Sequence, residues 1–267
     1  MSKTQDPETL QNALEAVDEI IEKKGQRSFL FFFDFDGTLA PIGPDPDKVE
    51  LQQSLKKQLQ KLSEDFPVAI VSGRDRADIE SKIAIESLYY AGSHGFDISG
   101  PNGTSHLHPE ADRLIPLIEE TGKEFKEKML NYEEVWVELK KFAVAIHYRM
   151  AEEETVKQVH EEIRSTMKGK DDLIWDEGKG IVEIKPAVDW HKGKAVLWLM
   201  EHLEIDTQQA LPIYLGDDTT DEDAFQVLKD KGISILVDGD SQQTHADYLL
   251  ESQHDVSVFI EKLRSDV

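Results

Sequence analysis

The sequence contains no cysteine among its 267 residues. This absence excludes disulfide bonds, zinc–thiolate sites and a cysteine nucleophile. The chain also lacks any apolar run approaching the roughly 20 residues that a membrane-spanning helix needs. Its N-terminus, MSKTQDPETLQNALEAVDEII, is polar and acidic, which is unlike a signal peptide. We therefore expect a cytoplasmic protein that does not insert into membranes.

Positive charge is scarce in this chain. Lysine and arginine total 30 against 54 aspartates and glutamates, which gives a formal net charge of -24. So acidic a protein repels nucleic-acid phosphates and anionic lipid headgroups. The composition therefore predicts no nucleic-acid or membrane partner. We interpret the acidity as a means of solubility, suited to a saline cytosol, and expect a monomer.

Apolar runs alternate with helical patterns along the first part of the chain. Phe29–Phe33 is continuously apolar, which suits a strand covered on both faces. Similar runs occur in PVAIVSG (67–73) and SLYYAGSHG (87–95), and leucines spaced three or four residues apart predict a helix over 51–62. A short amphipathic helix is predicted over 8–24. The alternation predicts an α/β fold, a doubly wound parallel-sheet (Rossmann-like) core.

The pattern changes near residue 97 and returns near residue 187. The segment VWVELKKFAVAIHYR (135–149) alternates at period two, which suits a half-buried antiparallel strand pair, and helical and hairpin patterns surround it. We therefore predict a core domain formed by residues 1–96 and 187–267. Residues 97–186 are predicted to form an inserted α+β cap domain.

Polar side chains cluster where the predicted strands of the core end or its helices begin. These residues are Asp34, Asp36, Ser72, Lys192, Asp217, Asp218 and Asp221. In such sheets, ligands bind at the carboxyl edge of the strands. Crowded carboxylates raise each other's pKa unless a cation intervenes, and Mg²⁺ prefers hard oxygen ligands. Asp34 and Asp217 therefore predict a Mg²⁺ site.

The same groups meet the needs of phosphoryl transfer. This reaction requires a carboxylate nucleophile, a neighbouring acid/base, a metal and a fixed cation. Asp34 and Asp36 meet the first two needs if the chain turns at Gly37 and brings Asp36 beside the phosphate. Ser72 is suited to donate a hydrogen bond to a phosphoryl oxygen, and Lys192 to supply the positive charge.

Together, DFDGT, Ser72, the later lysine and GDDTTD resemble the four motifs of haloacid dehalogenase-superfamily phosphatases. Longer stretches resemble the trehalose-6-phosphate phosphatases in particular: VSGRD (71–75), GSHGFDI (92–98), VELKKFAVAIHYR (137–149), VEIKP (182–186), HKGKA (191–195) and LGDDTTDEDAF (215–225). The resemblance spans nearly the whole chain after residue 28. It implies an enzyme that hydrolyses trehalose 6-phosphate to trehalose and phosphate through an aspartyl-phosphate, with Mg²⁺ as cofactor.

The resemblance implies catalytic roles position by position. Asp34 would attack phosphorus, Asp36 would act as the acid/base and Ser72 would bind the phosphoryl group. Lys192 matches the family's lysine because Gly193 and Ala195 follow it in the order KGxA. The implied metal ligands and their close support are Asp34, the backbone carbonyl of Asp36, Asp217, Asp218 and Asp221.

The resemblance also implies residues that bind the substrate. In the core these are Gly37, Thr38, Gly73, Arg74, His94 and Gly95. In the cap, which is implied to close over the sugar, they are Glu138, Lys140, His147, Arg149 and Glu183. One position departs from the family, which commonly has glutamate where this chain has Asp97. This shorter side chain is expected to change the contacts near His94.

Other interpretations stay open at this point. Another glycosyl phosphate is an alternative substrate, such as glucosylglycerol phosphate or mannosyl- or glucosyl-phosphoglycerate. A catalytically inactive sugar-phosphate sensor or synthase-binding subunit is a further alternative, although it would be expected to have lost Asp34 or Asp36. A matching synthase is also a candidate partner of the active enzyme. Ser72 could instead cap the helix that follows it.

Overall fold

The structure, a computed structural model, describes residues 4–43, 46–178, 180–238 and 243–265. Its strands are β1 (Gln11–Asn12), β2 (Ser28–Phe33), β3 (Val68–Val71), β4 (Tyr89–Gly92), β5 (Asp97–Ser99), β6 (Ser105–Leu107), β7 (Trp136–Leu139), β8 (Val144–His147), β9 (Leu173–Gly178), β10 (Ile181–Pro186), β11 (Ala210–Gly216), β12 (Ile233–Val237) and β13 (Tyr248–Leu250). Its helices are α1 (Val17–Lys24), α2 (Gln53–Asp65), α3 (Arg76–Ile83), α4 (Pro109–Met129), α5 (Glu153–Met167), α6 (Lys192–His202), α7 (Glu222–Leu228) and α8 (Gln253–Ser265).

The chain divides into two compact units. The first comprises Met1–His106 and Trp190–Val267, and the second comprises Leu107–Asp189. The first unit contains the large sheet, whose strands lie in the order β1-β13-β12-β11-β2-β3-β4-β5-β6. In this sheet order, each neighbouring pair between β1 and β4 is parallel, whereas β5 is antiparallel to β4. The predicted α/β fold with a parallel-sheet core is confirmed.

Strand β2 lies in the interior of this sheet and explains the run of apolar residues that ends at Phe33. Successive side chains of a strand point to opposite faces. Phe29, Phe31 and Phe33 pack on one face with residues of α1, α2, α3 and α8, whereas Leu30 and Phe32 pack on the other with residues of α6 and α7. Both faces are covered, so every position of the strand after Ser28 is buried.

The second unit is an α+β arrangement with its own core. Its antiparallel sheet has the order β7-β8-β10-β9, and one face of that sheet packs with residues of α4 and α5. Val144, Ile146, Val182 and Ile184 alternate along β8 and β10 to form this apolar face. The period-two pattern predicted over 135–149 therefore corresponds to β7 and β8.

Two stretches differ from the sequence-based expectation. The predicted helix over 8–24 is wrong in its first half, because α1 begins only at Val17 and Gln11–Asn12 instead pairs in parallel with β13. The side chain of Asn12 accepts a hydrogen bond from the backbone N–H of Leu14 at 2.8 Å, a local bond that competes with helix formation. The predicted boundary after residue 96 precedes β5, which continues the large sheet. Within the described residues, no helix has the length and apolar character needed to cross a membrane.

Candidate active site

Three neighbouring strands of the large sheet deliver the candidate residues to one edge. Asp34 follows β2, Ser72 follows β3 and Asp217 follows β11, and these strands lie side by side in the order β11-β2-β3. Because the three strands are parallel, their carboxyl ends share one edge. The backbone N–H of Asp34 donates to the carbonyl of Leu215 at 2.9 Å, which holds the end of β2 against β11.

Lys192 is the buried cation of this edge. It is the first residue of α6, and its Nζ donates to Asp34 Oδ1 at 2.7 Å and to Asp221 Oδ1 at 2.8 Å. All three side chains are at most 6% exposed. Burial alone would lower the pKa of Lys192, but the charges of Asp221 and Asp34 raise that pKa well above its ordinary value. The lysine is therefore held charged between two carboxylates.

Asp221 has hydrogen-bond partners at both carboxylate oxygens. Oδ1 accepts from Lys192 and from the hydroxyl of Tyr214, the latter at 2.6 Å. Oδ2 accepts from the backbone N–H groups of Asp217 and Asp218, each at 3.1 Å. These four bonds fix the loop that follows β11. Asp221 thus orients both Lys192 and Asp217, and its oxygens are already engaged.

Asp217 completes a cluster of carboxylates with Asp34 and Asp221. Each residue of this trio offers a carboxylate oxygen, and the three oxygens lie within 4.8 Å of one another. Burial and the charges of Asp221 and Asp218 raise the pKa of Asp217 to about 7. Burial likewise raises the pKa of Asp34 well above its ordinary value, although Lys192 opposes that shift. Such a concentration of hard oxygen atoms is suited to a divalent cation.

The turn that follows β2 lies close to the side chain of Asp217. Thr38 Oγ1 donates to Asp217 Oδ1 at 3.2 Å. Gly37 has a φ of 91°, and a Cβ added there would lie 2.0 Å from a carboxylate oxygen of Asp217. A larger residue at position 37 would therefore strain the backbone and would require the side chain of Asp217 to move. The carbonyl of Gly37 accepts a hydrogen bond from the side chain of Gln253 at 2.8 Å.

Asp36 has a different partner, the guanidinium of Arg74. Arg74 Nε donates to Asp36 Oδ2 at 2.6 Å, and Nη2 donates to Asp36 Oδ1 at 2.7 Å. The third nitrogen, Nη1, donates to Asp78 Oδ2 at 3.0 Å, and the guanidinium lies 5.5 Å from the ring centre of Phe35. This two-bond geometry fixes Asp36 strongly. Arg74, which the resemblance implies to be substrate-binding, here contacts the candidate acid/base.

Ser72 lies at the end of β3 and is buried. Its Oγ accepts from the backbone N–H of Arg74 at 3.2 Å, and its carbonyl accepts from the N–H of His94 at 2.8 Å. Asp75 occupies the N-cap position of α3, so the alternative of Ser72 as the cap of that helix is wrong. The imidazole of His94 lies against Gly73, where a Cβ would lie 2.9 Å from the ring.

Asp97, the position that departs from the family pattern, is buried at the start of β5. Its Oδ1 accepts a hydrogen bond from Arg76 Nε at 2.8 Å. The shorter side chain therefore takes part in an ion pair with α3.

Three of the candidate residues in the second unit, Glu138, His147 and Glu183, lie on one face of its sheet. Lys140 Nζ donates to Glu183 Oε1 at 2.8 Å, and His147 Nε2 lies 3.0 Å from Glu138 Oε2. Arg149 follows β8 and is exposed, and it lies beside Gly180. Four of the five residues implied for the cap are thus joined in two pairs.

Tyr214 is a component of the core site that sequence reasoning missed. It is fully buried on β11, and its hydroxyl hydrogen-bonds to Asp221. The feature of the sequence that could have identified it is a tyrosine hydroxyl within the apolar strand ALPIYLG, shortly before the acidic loop.

Comparisons with known proteins identify a matching family and several similar proteins. Residues 32–254 match the model of a family described as trehalose-phosphatase. A protein of Arabidopsis thaliana named probable trehalose-phosphate phosphatase E is 38% identical over 263 residues, which are 94% of this chain and 74% of that protein. A trehalose-phosphate phosphatase of Mycobacterium bovis is 41% identical over 237 residues, which are 87% of this chain. The matched part is 60% of the mycobacterial protein's length.

A solved structure is also similar over nearly the full length. It is the C-terminal domain of trehalose-6-phosphate phosphatase from C. albicans, with a TM-score of 0.77 and 25% sequence identity. The match covers 98% of this chain and 99% of that one. Sequence and fold therefore indicate the same relatives.

Proposed function

The chain belongs to the trehalose-phosphatase family, and on that premise we propose that it is a Mg²⁺-dependent phosphatase that releases phosphate from trehalose 6-phosphate. The family resemblance drawn from the motifs is confirmed. The observation that carries the proposal is the contact of Asp34 with buried Lys192, beside Asp217, at one edge of the sheet.

Asp34 is the proposed nucleophile. One of its carboxylate oxygens forms a bond to phosphorus while the bond from phosphorus to the sugar oxygen breaks, which leaves an aspartyl-phosphate. Lys192 holds the carboxylate in place through its 2.7 Å hydrogen bond and balances the negative charge that the phosphoryl group brings. Ser72, at the end of the adjacent strand, is proposed to donate its hydroxyl hydrogen to a phosphoryl oxygen.

Asp36 is the proposed acid/base. It gives a proton to the departing sugar oxygen and later takes one from the water that attacks phosphorus and frees Asp34. Both oxygens of Asp36 accept hydrogen bonds from Arg74 in this structure. Each oxygen accepts only one of these bonds and keeps a second lone pair, so Asp36 can exchange a proton while Arg74 holds it in place.

The donor set fits Mg²⁺. Asp34 and Asp217 offer carboxylate oxygens, whereas those of Asp221 already accept four hydrogen bonds. We therefore assign the ion to Asp34, Asp217 and, as the resemblance implies, the carbonyl of Asp36, with Asp218 and Asp221 in support. Mg²⁺ bound there would offset the charge of the phosphate and polarise its oxygens.

Phosphate release over a panel of substrates tests this function. The panel contains trehalose 6-phosphate, glucosylglycerol phosphate, glucosyl-phosphoglycerate and glycerol 2-phosphate, each with Mg²⁺ and after removal of metal by EDTA. We expect the highest kcat/KM for trehalose 6-phosphate, and a loss of at least about 100-fold without metal, because the metal neutralises charge in the transition state.

Each other outcome identifies what is wrong. A faster reaction with another glycosyl phosphate would show that this compound, and not trehalose 6-phosphate, is the substrate. The proposed mechanism of phosphoryl transfer would then still stand. Equal rates with and without metal would contradict the metal site. Tight binding of a sugar phosphate with no turnover of any compound would indicate the inactive sensor.

A further inference from the structure

The sheet of the second unit has a polar face opposite its apolar one. Glu138 and Glu183 both pair with Ala145 of β8, from β7 on one side and β10 on the other. Side chains at paired positions point to the same face. His147, two residues after Ala145, and its partner Trp136 on β7 lie on that face too. We call the set formed by Trp136, Glu138, Lys140, His147 and Glu183 the polar face.

Trp136 is the aromatic member of the polar face. Its indole ring stacks on the imidazole of His147 with the ring centres 3.6 Å apart and the planes within 4° of parallel. The imidazole is fixed in turn by its 3.0 Å contact with Glu138. Trp136 is nevertheless 49% exposed, on the edge strand of its sheet. A large apolar ring is thus held in position while half of its surface stays accessible.

The polar face around Trp136 contains charged side chains that can form hydrogen bonds with hydroxyl groups. Carboxylates accept from hydroxyls and ammonium groups donate to them, and the polar face carries both in Glu138, Glu183 and Lys140. The pKa of Glu138 is lowered, and the hydrogen bond from His147 is the largest cause of this shift. The lower pKa keeps this acceptor charged. A pyranose ring presents hydroxyls at its rim and C–H groups on its faces. An aromatic plane beside charged hydrogen-bonding groups matches both features.

We propose that Trp136 is a specificity-determining residue, whose indole ring, supported by His147, packs against the C–H face of a sugar ring of the substrate. This inference rests on the proposed function, because it assumes that the substrate is a glycosyl phosphate. It assigns to Trp136 the recognition of the sugar and no part in the transfer of the phosphoryl group.

The second unit offers a matched control for this residue. Trp175 lies on β9 and pairs with Ile184, so it belongs to the opposite, apolar face of the same sheet. Replacing Trp175 with phenylalanine makes the same chemical change in the same unit, away from the polar face.

The test measures kinetics of Trp136→Ala, Trp136→Phe and Trp175→Phe. For trehalose 6-phosphate we expect Trp136→Ala to raise KM about tenfold and Trp136→Phe about threefold, with kcat nearly unchanged, because the lost contact is one of ground-state binding. Trp175→Phe is expected to keep the KM of the unsubstituted protein. Turnover of glycerol 2-phosphate, which has no sugar ring, is expected to be unchanged in all three variants.

Two results would overturn the proposal. One is an unchanged KM for the sugar phosphate in both Trp136 variants. The other is an equal loss with glycerol 2-phosphate, which would indicate damage to the fold. Circular dichroism checks folding, and Trp136→Phe carries the test if Trp136→Ala does not fold.

Binding measured without turnover separates this proposal from the proposed function. Calorimetric titration with trehalose is expected to show at least about tenfold weaker binding to Trp136→Ala than to the unsubstituted protein. If another glycosyl phosphate is the true substrate, the same variants are assayed with that compound, and the same ratios are expected. An unsubstituted protein that binds neither trehalose nor any sugar phosphate of the panel would contradict the inference.

Discussion

Replacing Asp34 with asparagine is expected to lower kcat by about 10⁴-fold or more, because the amide oxygen is a far weaker nucleophile than the carboxylate. Asparagine has nearly the same shape, and its side-chain oxygen can still accept the hydrogen bond from Lys192. The fold is therefore expected to persist. Phosphate release from trehalose 6-phosphate at saturating substrate and Mg²⁺ measures the effect.

Asp65→Asn is the control for this substitution. It makes the same change at a half-exposed aspartate that pairs with Arg264. An exposed pair contributes little to stability, and Asp65 has no proposed role in catalysis. Asp65→Asn is expected to keep full activity. If Asp34→Asn also keeps it, Asp34 is not the nucleophile and the proposed chemistry is wrong.

Replacing Lys192 with methionine is expected to destabilise the protein and to abolish its activity. Asp34 and Asp221 would remain buried without the cation that now lies within 2.8 Å of both. Removing one partner of a buried ion pair typically costs about 3–5 kcal/mol. We expect a loss of this size in the free energy of unfolding, measured by urea denaturation at pH 7 without divalent metal.

The effect of Lys192→Met should depend on pH in a defined direction. Burial raises the pKa values of Asp34 and Asp221, so lowering the pH protonates both carboxyls and removes their unpaired charge. The destabilisation relative to the unsubstituted protein is therefore expected to shrink as the pH falls. Lys194→Met, two residues along the same helix and outside the carboxylate cluster, is the matched control and is expected to change stability and activity far less than Lys192→Met. Equal effects of the two substitutions would contradict the assigned role of Lys192.

The sequence was sufficient to predict which of the candidate residues follow strands. Asp34, Ser72 and Asp217 each come directly after an apolar run, and parallel strands bring their ends to one edge. The helix start at Lys192 was predictable for the same reason, since the α/β pattern resumes there. The order of strands was not needed for this prediction, only their common direction.

Side-chain partners were much less predictable. The pairing of Asp36 with Arg74 joins residues 38 positions apart, and the sequence suggested instead that Asp36 turns toward the phosphate. Nothing in the local pattern distinguishes these two directions, because both start from the same turn at Gly37. Tyr214 was missed for a similar reason, since its apolar ring suits a buried strand and its hydroxyl has a role only once Asp221 is placed.

In the second unit, the register between strands could not be predicted from the sequence. Period-two alternation indicated which residues of β7 and β8 share a face, but not which residues lie opposite each other. The sequence alone therefore did not reveal that Trp136 pairs with His147, which places both rings on the polar face. At the N-terminus, the pairing of Gln11–Asn12 with β13 replaced a helix that the local periodicity favoured.

Asp34 and Asp217 are proposed to bind one divalent cation at the edge of the sheet where Asp34 is proposed to attack phosphorus. The most direct measurement is an anomalous difference map from crystals soaked in Mn²⁺ in place of Mg²⁺. We predict a single strong peak within bonding distance of carboxylate oxygens from both residues, and its loss in crystals of Asp217→Asn. A peak that contacts neither carboxylate, or activity that persists at full rate with no metal bound, would contradict this metal site.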